Sequence, residues 1–424
     1  MKDVGIIIDL YQPPTQEESI LKQAVNDLYA PLIRLIKSNK NIKFSLSIPL
    51  STLELLDKHG YGEIINDIKD LYSSEKIELV GSSAYNALLT DMPVEVVENQ
   101  IILNEYALGY YFGARQGFEG EPSIMIKDLY GLVPTMLVIN DEVLTTLGEL
   151  GYKWVIAADF CIPFKYRQEG LCMYKVKGCE TGILKLDSKL NNIINGYYKD
   201  DIQLTCKRVI EEISSKDNKH SIIYVSGLER FGDKEIYKKE FNLIDVLTEG
   251  LIGKNIMITS IENITKDLSV SEIDEKLSVG YDTKEESSLK DSFVSVILYL
   301  ESEDKRLAAL KKIEKNLIKT AVKIDDKNDL QDLLTEPIWK DERLTTINNV
   351  LLHNKLYHYV LLSKLASFSK YSCLSNILLN SEQNSYDKIQ LAKFIQLAVK
   401  CADLIESDTA LSLREDIDKF LSLI

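Results

Sequence analysis

Up to about residue 265 the chain alternates short apolar runs with longer segments whose apolar residues recur every three or four positions. The short runs at 4–10, 42–48, 77–80, 154–157, 221–225 and 256–260 have the length and β-branched content of buried strands. The longer segments, among them 17–37, 94–112, 141–151 and 235–248, have helical period. Asn140 and Asp141 ahead of Glu142 supply N-capping oxygens for one helix, and Gly151 supplies its stop. Such alternation predicts the α/β class, with parallel strands joined by helices in a sheet or barrel over residues 1–265. Between 266 and 290 Ser, Asp, Glu and Lys dominate, which predicts a polar, acidic boundary or a long surface loop. Beyond it 292–300, 304–323, 343–369 and 385–405 return to helical spacing, so 291–424 is predicted to be a helical bundle docked on the barrel.

Composition narrows the ligand. With 424 residues and 45% hydrophobic content the chain has material for more than one core. Acids outnumber bases 65 to 50, a formal charge of -15. Such a surface repels phosphate backbones and anionic lipid, so neither nucleic acid nor a membrane is the expected partner, and a neutral ligand is compatible. The apolar run 4–8 is too short and wrongly flanked for a signal peptide, and no stretch reaches the roughly 18 apolar residues of a span. The cytoplasm is the expected location. Cysteines at 161, 172, 179, 206, 373 and 401 contain no CxxC pair, and of the four histidines only His353 and His358 are near neighbours. No zinc site, disulfide framework or other cofactor is predicted.

Candidate chemistry lies at the ends of the predicted strands, where a parallel barrel presents its site. The first strand ends Asp9-Leu10-Tyr11-Gln12-Pro13. Residues 77–86 read Ile-Glu-Leu-Val-Gly-Ser-Ser-Ala-Tyr-Asn, followed by a helix through Gln100 to Phe112-Gly113. Residues 134–142 read Pro-Thr-Met-Leu-Val-Ile-Asn-Asp-Glu, with Glu149-Leu150-Gly151-Tyr152-Lys153 behind them. Residues 225–232 read Val-Ser-Gly-Leu-Glu-Arg-Phe-Gly, with Ile258-Thr259-Ser260 downstream, and residues 353–359 read His-Asn-Lys-Leu-Tyr-His-Tyr.

In this order and spacing the segments resemble glycoside hydrolase family 57, in its α-amylase-like branch. The resemblance implies a distorted parallel (β/α) barrel of the family 57 type with a C-terminal helical bundle. It also implies where the chain departs from the family. Tyr11 stands in place of the family's His in His-Gln-Pro, Asn86 in place of a second histidine, and Asn354 in place of an aspartate. Met136 occupies the position of the nucleophilic glutamate and Gly227 that of the general-acid aspartate.

A thioether has no charge with which to attack an anomeric carbon, and a glycine has no proton to donate. Retaining glycosidases need both carboxyl groups, about 5 to 5.5 Å apart. The expectation is therefore a catalytically degenerate relative that binds an α-glucan or maltooligosaccharide or regulates carbohydrate metabolism, with Tyr11, Gln12, Tyr85, Asn86, Trp154 and Asn354 as sugar-contacting residues. Core packing is the competing reading of the aromatics, above all of Trp154 inside a strand. Two alternatives stay open. One is an active α-amylase or 4-α-glucanotransferase whose carboxylates have moved to Asp9, Asp159, Glu229 or Asp233. The other is a scaffold that pairs with an active paralogue or with a second copy of itself.

Overall fold

Among the described residues ten strands form one sheet: β1 (Asp3–Asp9), β2 (Phe44–Ser47), β3 (Ile77–Ser82), β4 (Gly131–Val133), β5 (Trp154–Ala157), β6 (Met173–Val176), β7 (Gly182–Lys185), β8 (His220–Ser226), β9 (Met257–Thr259) and β10 (Val270–Ile273). Their order is β10-β6-β7-β5-β4-β3-β2-β1-β8, with β9 beside β1, and every pair is parallel except β6 with β7. The computed structural model describes residues 2–277 except 13–15, 88, 93, 114–128, 168–169, 196–200 and 227–234, together with 312, 415–416 and 418–419; at 91, 95, 136, 160, 188 and 195 it describes the backbone alone. The predicted C-terminal bundle and Asn354 thus lie outside the described residues, as do Gly227, Glu229 and Asp233.

The connecting helices are α1 (Glu18–Ala24), α2 (Ala30–Ser38), α3 (Leu50–Lys58), α4 (Gly62–Ser73), α5 (Val94–Phe112), α6 (Asp141–Glu149), α7 (Ser188–Asn195), α8 (Ile202–Ser215), α9 (Ile236–Gly253) and α10 (Ile261–Thr265). The helix predicted over 17–37 is continuous but widens to a π-turn at Val25–Tyr29. That wider turn comes just before Pro31, whose ring would otherwise clash with the carbonyl four residues back. The expected cap on α6 is present, with Asn140 Oδ1 accepting from the Val143 amide at 2.9 Å. Gly151, at φ 90°, ends the segment in the left-handed region. Among the described residues no helix is long and apolar enough to cross a membrane.

Alternation along the strands divides two cores. Ile8, Leu46, Leu79 and Val225 face the helices in one cluster. Ile7, Val80, Val133, Trp154, Ile156, Leu184 and Ile222 face inward, where the curled sheet encloses them with Ile261 and Ile264 of α10. β9 lies beside the first half of β1 (Asp3 to Gly5), on the edge that β2 takes over from Ile7 to Asp9. Through this division α10 enters the barrel. Gly5 leaves the room, since a Cβ there would meet Ile261 Cδ1 at 2.3 Å. The buried Glu78 carboxylate accepts from the backbone amides of Ile261 (2.8 Å) and Glu262 (3.0 Å) and from Ser45 Oγ, satisfying the first turn of α10. Gly131 serves similarly under the Trp154 ring, which a Cβ would approach to 2.0 Å.

Three strands escape the sequence pattern because they are short and lack alternation: β4, β6 and β7. A fourth, β10, starts the stretch predicted as a boundary from residue 266. Its Val270 and Glu272 are exposed and Ser271 half-buried while it pairs with β6, and a strand of that composition reads as loop.

Candidate functional site

The C-terminal ends of β8, β1, β2 and β3 bring Ser226, Asp9, Ser47 and Ser82 to one inward-facing rim. Asp9 is in register with Ser226 and with Ser47, and Ser82 lies two residues beyond the Val80 that pairs with Ser47. Asp9 is buried, and its Oδ2 accepts from Tyr224 Oη at 3.0 Å and Ser226 Oγ at 3.2 Å. Burial pushes its carboxyl up to about 6, only partly offset by those hydroxyls and that of Ser47. Among the described residues no ion pair reaches it. A carboxyl so placed exchanges its proton near neutral pH.

The loop after β1 is held from beneath. Leu10 carbonyl accepts from Tyr29 Oη (3.0 Å) and Thr52 Oγ1 (2.9 Å), and the Gln12 amide donates to Thr52 Oγ1 at 2.8 Å. The Gln12 side chain, 1% exposed, donates through Nε2 to Tyr29 Oη and accepts at Oε1 from Gln16 Nε2 (2.9 Å) and Tyr237 Oη (3.0 Å). Burial pushes the Tyr29 and Tyr237 phenols above their usual range, so both act as neutral donors. Tyr11 is buried beside this network. Gln12 thus fixes the loop with an amide whose bonds are already made.

After β3 the chain makes a tight turn through Ser83, Ala84 and Tyr85 to Asn86, which takes φ 54°. Tyr85 has no exposed surface; its hydroxyl donates to Glu54 Oε1 at 2.7 Å. Gln100 on α5 grips the same turn, its carbonyl accepting from Ala84 N (2.9 Å) and its Oε1 from Tyr85 N (3.1 Å). Asn86 Oδ1 accepts from Thr135 Oγ1 at 2.7 Å, and Thr135 meets Ser83 Oγ at 3.1 Å. The buried Asn86 Nδ2 has no partner among the described residues.

Thr135 begins the short turn Thr135–Leu137 that carries Met136 directly after β4. Leu137 sits at φ 58°, strained for a branched aliphatic residue, and its carbonyl is held by Ala158 N (2.9 Å) and Cys161 Sγ (3.7 Å). Burial pushes the Cys161 thiol up to about 12, so it is no nucleophile at neutral pH. Asp159 occupies a turn after β5, half-buried. Trp154 is 1% exposed within the barrel core, as the packing reading had it.

The structure therefore brings Asp9, Asn86 and the Met136 turn to the strand ends and places Gln12, Tyr85 and Trp154 beneath them. Sequence reasoning passed over Tyr224, Ser226, Ser47, Ser82 and Thr135. The only available signal was the alternation of Ser45 with Ser47 and of Tyr224 with Ser226 on inward positions of otherwise apolar strands.

A family model described as Glycosyl hydrolase family 57 matches residues 7–269. A curated relative, an alpha-amylase of Pyrococcus horikoshii, is 27% identical over 150 residues, which is 35% of this chain and 21% of the relative, so the match spans about a fifth of that protein's length. Among solved structures, a GH57-type branching enzyme from Pyrococcus horikoshii superposes with TM-score 0.60 at 11% identity, covering 100% of this chain and 96% of that one. A 4-alpha-glucanotransferase from Thermococcus litoralis gives 0.56 at 13%, over 88% of this chain and 60% of the other. The alpha-amylase AmyC from Thermotoga maritima gives 0.55 at 10%, over 98% and 97%. At such identities the solved structures speak for the fold.

Proposed function

The chain belongs to glycosyl hydrolase family 57, and from that premise we propose that it binds an α-glucan or maltooligosaccharide at its strand ends without hydrolysing it. The observation that carries this reading is the residue on the turn after β4. Where the family resemblance puts a nucleophilic glutamate, this chain has Met136, and where it puts the general acid, Gly227. Loss of acid/base assistance alone costs about 10² to 10⁴ in rate, and loss of the nucleophile compounds it. The names of the similar proteins, an amylase, a branching enzyme and a glucanotransferase, support the choice of glucan. In this reading Asn86, in the left-handed region at φ 54°, contacts the sugar, and Asn354 is a second contact. Gln12, Tyr85 and Trp154 hold the rim in shape from below.

A second reading, displaced catalysis, draws on Asp9, a buried carboxyl that titrates near neutrality. Calorimetric titration with maltooligosaccharides, alongside assays for new reducing ends and altered chain lengths, separates the two. Binding without turnover is the expected result. Turnover abolished by Glu229→Gln or Asp9→Asn would establish displaced catalysis, and no binding would favour a scaffold.

A further inference from the structure

Asp9 differs from the buried Glu78 and Glu54 in standing at the strand ends, on the inward-facing rim. Glu78 uses its oxygens on the first turn of α10 and on Ser45, and Glu54 receives the Tyr85 hydroxyl. On Asp9 the Tyr224 and Ser226 hydroxyls both fall on Oδ2, Ser47 adds a third hydroxyl that favours the charged form, and 8% of the residue stays open. Along the same rim Ser82 Oγ and Asn86 Nδ2 are buried without hydrogen-bond partners among the described residues. Buried polar atoms in native proteins are matched by protein, water or ligand. Here an acceptor on β1 stands on the same rim as an unmatched hydroxyl on β3, with an amide donor just past β3. That sequence of groups suits a ligand bearing several hydroxyls, since each hydroxyl both gives and takes a hydrogen.

We propose that Asp9 is the anchor by which this cleft recognises a hydroxyl-bearing ligand, its carboxylate accepting a ligand hydroxyl hydrogen while Ser82 and Asn86 serve the neighbouring hydroxyls. The proposal rests on the glucan reading above and adds a condition to it: the carboxyl must be ionised. Among the described residues the groups facing Asp9 are Tyr224 and Ser226 from β8, Ser47 from β2 and the Tyr29 phenol from the π-turn. All of these are neutral at these pH values, so among them only Asp9 titrates. Because burial holds its carboxyl at about 6, affinity rises with pH through that value.

The test is calorimetric titration of the full chain with maltoheptaose between about pH 5 and about pH 7.5. Wild-type protein is expected to bind roughly tenfold more tightly at the upper pH, the effect of losing one charge-assisted hydrogen bond. Asp9→Asn is expected to bind roughly tenfold more weakly than wild type at about pH 7.5, with no pH dependence. Ser226→Ala, which takes one hydroxyl from the carboxylate, is expected to move the midpoint to higher pH and leave the upper plateau in place. A flat wild-type profile, or an Asn variant that binds as tightly as wild type at the upper pH, overturns the proposal while leaving glucan binding intact. If wild type binds no maltoheptaose at any pH, the glucan reading falls and this proposal with it.

Discussion

Replacing Asp9 with asparagine is expected to stabilise the barrel at neutral pH. The carboxyl is held at about 6 in the folded protein, against an ordinary value of 3.8. The folded state therefore binds the proton more tightly than the unfolded chain does, and ionising Asp9 costs stability. At 1.36 kcal/mol per pH unit the full cost above both values is about 3 kcal/mol, and it develops as pH rises from about 4 to above 6. The asparagine keeps a carbonyl oxygen for Tyr224 and Ser226 and carries no charge to desolvate. Any constant difference from its amide cancels when the two proteins are compared across pH. Urea unfolding is followed by the fluorescence of buried Trp154 in a Trp339→Phe background. The stability of Asp9→Asn relative to wild type should rise by about 2 kcal/mol between about pH 4.5 and about pH 7.5. A difference that stays flat, or wild type gaining on the variant as pH rises, would falsify the assignment of a raised carboxyl to this position. Stabilisation together with weaker ligand binding is the trade expected of a functional residue.

Two further substitutions probe the frame around the rim. Glu78→Ala leaves the Glu262 amide without its acceptor and the Ile261 amide with Ser45 Oγ alone (3.2 Å), and should lower stability by about 1 to 3 kcal/mol in the same urea assay; a loss within experimental error would mean that α10 does not depend on this carboxylate. His220, buried at the start of β8 near Asp3 (3.4 Å), is held below its usual value by burial. The unfolded chain then takes up the proton first, so this residue costs stability as pH falls below about 6.5, opposite in sign to Asp9. His220→Gln should flatten that acid limb, and an unchanged limb would show that His220 charges freely in the folded state.

How far the site was legible follows from how local each signal is. Asp9 was visible as an acid at a strand end, and Asn86 and Met136 through the spacing of the segments that carry them. Gln12 and Tyr85 were visible too, but as sugar contacts. Their bonds to Tyr29, Tyr237 and Glu54 come from helices far along the chain, and nothing in their own neighbourhood announces those bonds. Ser47, Ser82 and Ser226 look like polar interruptions of apolar strands until registry sets them beside one another.

The sequence by itself determined which of the longer segments become strands and which become helices, because strand length, periodicity and capping act over a few residues. The absence of a carboxylate at positions 136 and 227 is likewise a matter of sequence alone. Tertiary structure decided the rest. It curled the sheet, let α10 in where β9 gives way to β2, and put the hydroxyls of β8 on one oxygen of Asp9. A carboxyl's proton affinity depends on the water removed from it and the donors brought to it, and here the donors come from other strands, two of them more than two hundred positions away.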